Sequence, residues 1–145
     1  MATIDVFVAG NPKGQPRPRA FARNGTARVY DPGTAEGWKS EVALALRGWA
    51  NRHFAGPIDV SLTFYFTRPK GHYYTSGEVS KSAPDAYIKK PDADNLAKAV
   101  LDAMTGIGFW FDDSQVTTLL VSKCWADRRE PRSGARLLIL AQESM

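Results

Sequence analysis

The chain has 145 residues, 43% of them hydrophobic and 23% charged. That is enough for one domain with its own core, and too ordinary a composition for a disordered or fibrous protein. A single cysteine, Cys124, excludes an intrachain disulfide and a cysteine zinc site, and no apolar run reaches the ~20 residues of a membrane span. Lys+Arg 19 against Asp+Glu 15 gives a net charge of +4, which leans toward an acidic partner.

Residues 2–9 alternate Ile4, Val6 and Val8 against Thr3 and Asp5, which predicts a first strand. The opening residues carry Asp5 and no basic leader, so no signal peptide is read and a cytoplasmic setting is expected. Residues 11–19, NPKGQPRPR, are too rich in proline for regular structure. They form an extended basic segment with Lys13, Arg17 and Arg19. Asn24-Gly25 predicts a hairpin over 21–30, with Arg23 and Arg28 near its tip. Thr34 reads as the cap of a helix to about residue 50, along which Trp38, Val42, Leu46 and Trp49 keep helical spacing. Residues 57–67 alternate strongly and predict a strand.

Residues 68–90 show no period and carry Arg68, Lys70, Lys81, Lys89 and Lys90. A loop this long inside a compact domain is expected to be a mobile, substrate-contacting segment. A second helix is expected to start with Asp94 or Asn95 as cap, with Leu96, Val100, Leu101 and Met104 as its apolar face and Gly106 at its end. Residues 115–125 and 134–141 read as two closing strands joined by a basic turn. The order β, hairpin, α, β, α, β, β predicts a single α+β domain over 1–145, with a small mixed sheet and two main helices.

The most informative stretch is 90–113, KPDADNLAKAVLDAMTGIGFWFDD. Asp92 and Asp94 are read as extended, with side chains pointing the same way. Asp113 is expected to return to them if the strand after the helix pairs beside the strand before it, with Phe109 and Trp110 packed under the acidic turn. Three carboxylates then converge, and hard oxygen donors of that kind suit Mg²⁺. Lys98, one turn into the helix, is placed to stabilise charge on a phosphate, and Asn95 to orient a carboxylate. The chemistry implied is phosphodiester hydrolysis. Each residue also has a plainer role. Asp94 can cap a helix, Asp112-Asp113 can be a polar turn, and Lys98 can pair on the surface with Asp94 or Asp102. His53 and His72 stand isolated, which gives no support to a histidine-zinc site or a Ser-His-Asp hydrolase.

KPDADNLAKAVLDAMTG followed by FWFDDSQV resembles the signature of the RusA family of Holliday junction resolvases, a D-x-D-N-x-x-K run opening a helix and a later DD-x-Q-V. The first strand, PRPR, and VYDP before a helix fit the family's N-terminal half, so the likeness spans most of the chain. It implies a RusA-like fold and a homodimeric, Mg²⁺-dependent endonuclease that cuts four-way DNA junctions symmetrically, and it leaves open whether Mn²⁺ substitutes. It puts essential acids at Asp92, Asp94 and Asp113, a catalytic lysine at Lys98, and an accessory metal ligand at Asp112. DNA contacts fall on Lys13, Arg17 and Arg19, with Arg23, Arg28, Lys89 and Lys90 as further basic candidates. The long 68–90 loop resembles versions encoded by phages and prophages. Other readings are a non-catalytic junction-binding protein, or a Mg²⁺ nuclease acting on flaps, forks or duplex.

Overall fold

Four strands and two helices share one apolar core. In this computed structural model residues 1–16, 19–23, 26–30, 35–127 and 131–142 are described, the side chains of 19–23 and 26–30 excepted. The elements are β1 (Ala2–Ala9), β2 (Arg19–Arg23), β3 (Thr26–Tyr30), α1 (Glu36–Ala45), β4 (Ile58–Phe66), α2 (Ala93–Gly106), β5 (Val116–Trp125) and β6 (Gly134–Ala141). Their order is the one the sequence predicts, and the architecture is a small α+β domain. The main sheet runs β1-β6-β4-β5, and β2 and β3 form a separate hairpin. β6 is antiparallel to both β1 and β4, whereas β4 and β5 are parallel. A parallel pair needs a long crossover, and α2 lies within it.

Period-two burial explains the sheet. Ile58, Val60, Leu62 and Phe64 of β4 stand opposite Ala141, Ile139, Leu137 and Ala135 of β6, and all eight are buried. Ile4 and Val8 of β1 continue the row on the far side of β6. Trp38, Val42 and Leu46 at α1, and Leu96, Val100 and Met104 of α2, close over this face. A one-residue slip in any strand would turn its apolar set to solvent, so burial fixes the register. Among the described residues the opposite face carries polar groups. Arg136 and Asp5 pair across β6 and β1, at 3.0 Å for Nε–Oδ1 and 2.6 Å for Nη2–Oδ2.

Three expectations are corrected. α1 stops at Ala45 and the chain tightens into a short 3₁₀ turn, Arg47–Trp49, with glycine at its centre. Its N-cap position is Ala35, and the expected cap Thr34 lies outside the described residues. α2 begins at Ala93 with Asp92 at the N-cap, so Asp94 is in the first helical turn and is not extended. The 68–90 segment is not structureless. It holds a 3₁₀ turn, Lys70–His72, and an antiparallel bridge between Tyr73 and Val79. Arg68 Nη1 donates to Pro84 O at 2.8 Å, Trp125 Nε1 to Ala86 O at 3.3 Å, and Tyr87 stacks on Phe66 at 4.1 Å. Its aromatic residues supply long-range contacts that no local period reveals.

Candidate active site

Two acidic groups lie at the two ends of the β4–α2–β5 unit. The first is the head of α2. Pro91, joined to Lys90 by a cis peptide, leads into Asp92 in extended backbone, φ −70° and ψ 149°. The amide of Leu96 donates to Asp92 O at 3.0 Å and closes the first turn. Lys90 Nζ grips both Asp92 oxygens, at 2.9 and 3.0 Å. Asp94 Oδ1 accepts from the Asn95 amide at 2.9 Å. Carboxylates in the first turn of a helix also sit in the favourable end of its dipole.

The basic N-terminal segment passes directly over this head. Gln15 N donates to Asn95 O at 2.9 Å. A Cβ added to Gly14 would meet Asn95 Cβ at 3.0 Å and Pro91 Cβ at 3.3 Å, so a larger residue here would need the segment or α2 to give by a few tenths of an ångström. Lys13 immediately precedes Gly14 in this segment. Arg17 lies outside the described residues. The backbones of Arg19, Arg23 and Arg28 run along the β2–β3 hairpin, whose register joins Arg23 to Thr26 across the turn expected at Asn24-Gly25.

Lys123 supports the same head from the sheet. Its Nζ donates to Lys89 O at 2.8 Å and to Pro91 O at 2.9 Å, and it stands over the Tyr87 ring at 5.3 Å. Sequence reasoning gave Lys123 no role. The lone cation inside an otherwise uncharged strand was the available signal. His72 is not isolated either. It meets Arg68 Nη1 at 3.3 Å and the edge of Trp125 at 4.9 Å, and burial with nearby Arg68 lowers its pKa.

Lys98 pairs with Asp102 at 3.1 Å, one turn on, as the helical spacing allows. That bond, with a smaller contribution from Asp113, raises the lysine's pKa and keeps it charged through neutral pH.

The second acidic group is the turn at Asp112 and Asp113, which enters β5. Phe109 and Trp110 are buried beneath it as core residues, like Trp38. Trp110 Nε1 donates to Thr105 Oγ1 at 2.8 Å. Gly108, at φ 71°, turns the chain so that residues 107–109 accept from the amides of Asn51, His53 and Phe54. Asp112 caps the 3₁₀ turn Asp113–Gln115, and its pKa is lowered first by hydrogen bonding with the Ser114 side chain and then by the bond it accepts from Ser114 N. Gln115 is the residue that sequence reasoning left without a task. Its Oε1 accepts from Phe111 N at 2.8 Å and Asp112 N at 3.1 Å. Its Nε2 donates to Phe54 O at 2.7 Å and Gly56 O at 3.1 Å. Four hydrogen bonds from one side chain tie the acidic turn to the body of the protein.

β5 does pair beside β4, as the return of Asp113 required. The three acids nevertheless do not meet within one chain. Among the described residues no group of three or more His, Cys, Asp or Glu side chains could hold a metal ion. The helix explains why. α2 has 14 residues, about 21 Å at 1.5 Å each. Asp92 and Asp94 stand at its head, and Asp113 lies beyond its tail.

Comparison with known proteins agrees with the motif. The family model of endodeoxyribonuclease RusA matches residues 9–133. An uncharacterised protein of Bacillus subtilis, YqaN, is 34% identical over 140 residues, which cover 91% of this chain and 93% of that protein. The crossover junction endodeoxyribonuclease RusA of Escherichia coli K12 is 51% identical over 35 residues, 24% of this chain and 29% of that one. With the aspartates and Lys98 of α2 and the Asp-Asp-Ser-Gln turn inside the matched span, the chain belongs to the RusA family of endodeoxyribonucleases, hydrolases that act on DNA.

Proposed function

We propose that this protein is a structure-selective endodeoxyribonuclease that resolves four-way DNA junctions in recombination and repair, acts as a homodimer in the cytoplasm, and uses Mg²⁺. The observation that carries the reading is the head of α2. Asp92, Asp94 and Lys98 stand there beneath a basic strap that includes Lys13. The name of the E. coli relative supplies the junction as substrate, through a short but strong local match.

The chain's own residues divide the work. Lys13, Lys89, Lys90 and the arginines of the N-terminal strap and hairpin collect phosphates, a contribution that weakens with salt. Lys98 stays charged and offers hydrogen-bond donors to a phosphate oxygen. Asp92 and Asp94 present the all-oxygen donors that Mg²⁺ prefers, with Asp113 as the third ligand and Asp112 as an accessory. A divalent cation, when bound by these carboxylates, would offset negative charge developing on the scissile phosphate. Among the described residues no three such side chains stand close enough to hold a metal ion together. A two-fold dimer matches the two-fold symmetry of a junction and supplies two cuts.

The test is cleavage of a labelled mobile four-way junction, with and without Mg²⁺, beside linear duplex of the same sequence. Paired symmetric nicks confined to the junction are expected. Asp94→Asn should lower the rate by roughly 100-fold or more while junction binding is kept. Binding without cleavage in either condition refutes the enzyme reading. Equal cutting of duplex refutes the junction selectivity.

A further inference from the structure

Ile88 is the most exposed of the large apolar side chains among the described residues, at 86%. Single apolar residues on a surface need no explanation by themselves. Ile88 is set apart by how its backbone is held. Before it, Trp125 Nε1 donates to Ala86 O at 3.3 Å, and the Tyr87 ring lies nearly flat against Phe66, at 4.1 Å and 11°. Trp125 meets the same tyrosine ring edge-on at 4.8 Å. After it, Lys123 Nζ holds Lys89 O and Pro91 O at 2.8 and 2.9 Å. The Tyr87 hydroxyl donates to Lys90 O at 2.5 Å, which closes a small loop of chain with Ile88 inside it.

A backbone fastened on both sides cannot fold this side chain back onto the core. Isoleucine is itself stiff, since branching at Cβ restricts χ1. A preset apolar side chain loses little freedom when it enters a partner. Its neighbours point to what that partner is. Lys89 and Lys90 follow it, and Lys90 Nζ grips Asp92 at 2.9 Å. Asp92 is four residues on from Ile88, a span of at most about 14 Å. That is about four base steps of ~3.4 Å along one strand. Lysines suit the flanking phosphates. Isoleucine offers a phosphate nothing, but it suits the space between stacked bases, where apolar side chains act as wedges.

We propose that Ile88 is a wedge that inserts between base pairs at the crossover of a bound junction and unstacks a step close to the scissile phosphate. This rests on the endonuclease reading and deepens it, because it names how the site tells a junction from a duplex. Pairs at a branch point lack the continuous stacking of a duplex, so opening them there costs less. Ile88 acts by positioning DNA, not by touching the reacting atoms.

The experiment places 2-aminopurine, whose fluorescence rises when it is unstacked, beside the crossover of a synthetic four-way junction. Protein is added in EDTA. Wild type should raise the emission. Ile88→Ala should bind with the salt dependence of wild type and lose that rise, and Ile88→Leu, of equal volume, should restore it. In Mg²⁺, Ile88→Ala should nick the fully paired junction roughly 10-fold or more slowly. A junction with mismatched pairs at the crossover is already open, so it should return most of the lost rate. Both variants should melt with wild type by circular dichroism, because the side chain is exposed. Unchanged emission and nicking in Ile88→Ala, or an equal loss on paired and mismatched junctions, overturns the wedge. So does a lower mass for Ile88→Ala in sedimentation, which would assign the side chain to a contact between copies. If wild type raises the emission but cuts nothing, the enzyme reading fails alone and the wedge stands. If it cuts without raising the emission, the wedge fails alone.

Discussion

Replacing Gln115 by alanine tests whether the acidic turn is held from below. The side chain makes four hydrogen bonds, two as acceptor from Phe111 and Asp112 and two as donor to Phe54 and Gly56. The bond to Phe54 O is part-buried, and the other three are exposed. Taking about 1 kcal/mol for the first and roughly 0.5 kcal/mol for each of the rest gives ~2.5 kcal/mol. For a chain near 150 residues that corresponds to a fall in Tm of about 5–10 °C. Activity should suffer more than stability. Asp113 stands in the same turn, and a misplacement of an ångström costs on the order of 100-fold in rate. Thermal melts by circular dichroism and junction nicking at 25 °C, where the variant is still folded, read the two effects separately. Gln115→Glu keeps the size but turns a carboxylate toward two carbonyls, and it should rescue neither. A melt within about 1 °C of wild type together with unchanged nicking would refute the argument.

Two further predictions concern the other end of the unit and the acid limb of stability. Lys123→Met keeps the aliphatic stem but removes the donors to Lys89 O and Pro91 O. It should cost about 1–3 kcal/mol in urea denaturation and should expose the 68–90 segment to limited proteolysis. An unchanged midpoint and an unchanged digest would remove Lys123 from its supporting role. Asp112 has a lowered pKa in the folded state, caused first by its bond from Ser114. Its contribution is therefore present above the ordinary aspartate value of about 3.9 and is lost as pH falls through the lower folded value. Asp112→Asn should flatten that loss, so the two Tm curves should converge below about pH 4. Parallel curves across that range would show that the capping bond carries no linkage.

What the sequence revealed follows the range of the interactions involved. Strict alternation in β4 and β6 reports a burial that each strand carries locally, so residues 134–141 were delimited to the residue. Leu96, Val100 and Met104 did the same for α2. The start of α2 was misread because Asp92, Asp94 and Asn95 are all good caps within four residues. Only the bond from Leu96 N to Asp92 O selects the first. The 68–90 segment had no period because its order comes from Phe66, Trp125 and Lys123, up to dozens of residues away. The candidate acids fall between these cases. Their identities were legible from the motif, since D-x-D-N-x-x-K is local chemistry. Their separation was not, because it depends on a helix of 14 residues running back along a parallel strand pair. A parallel crossover returns the chain to the starting edge, not to the starting point.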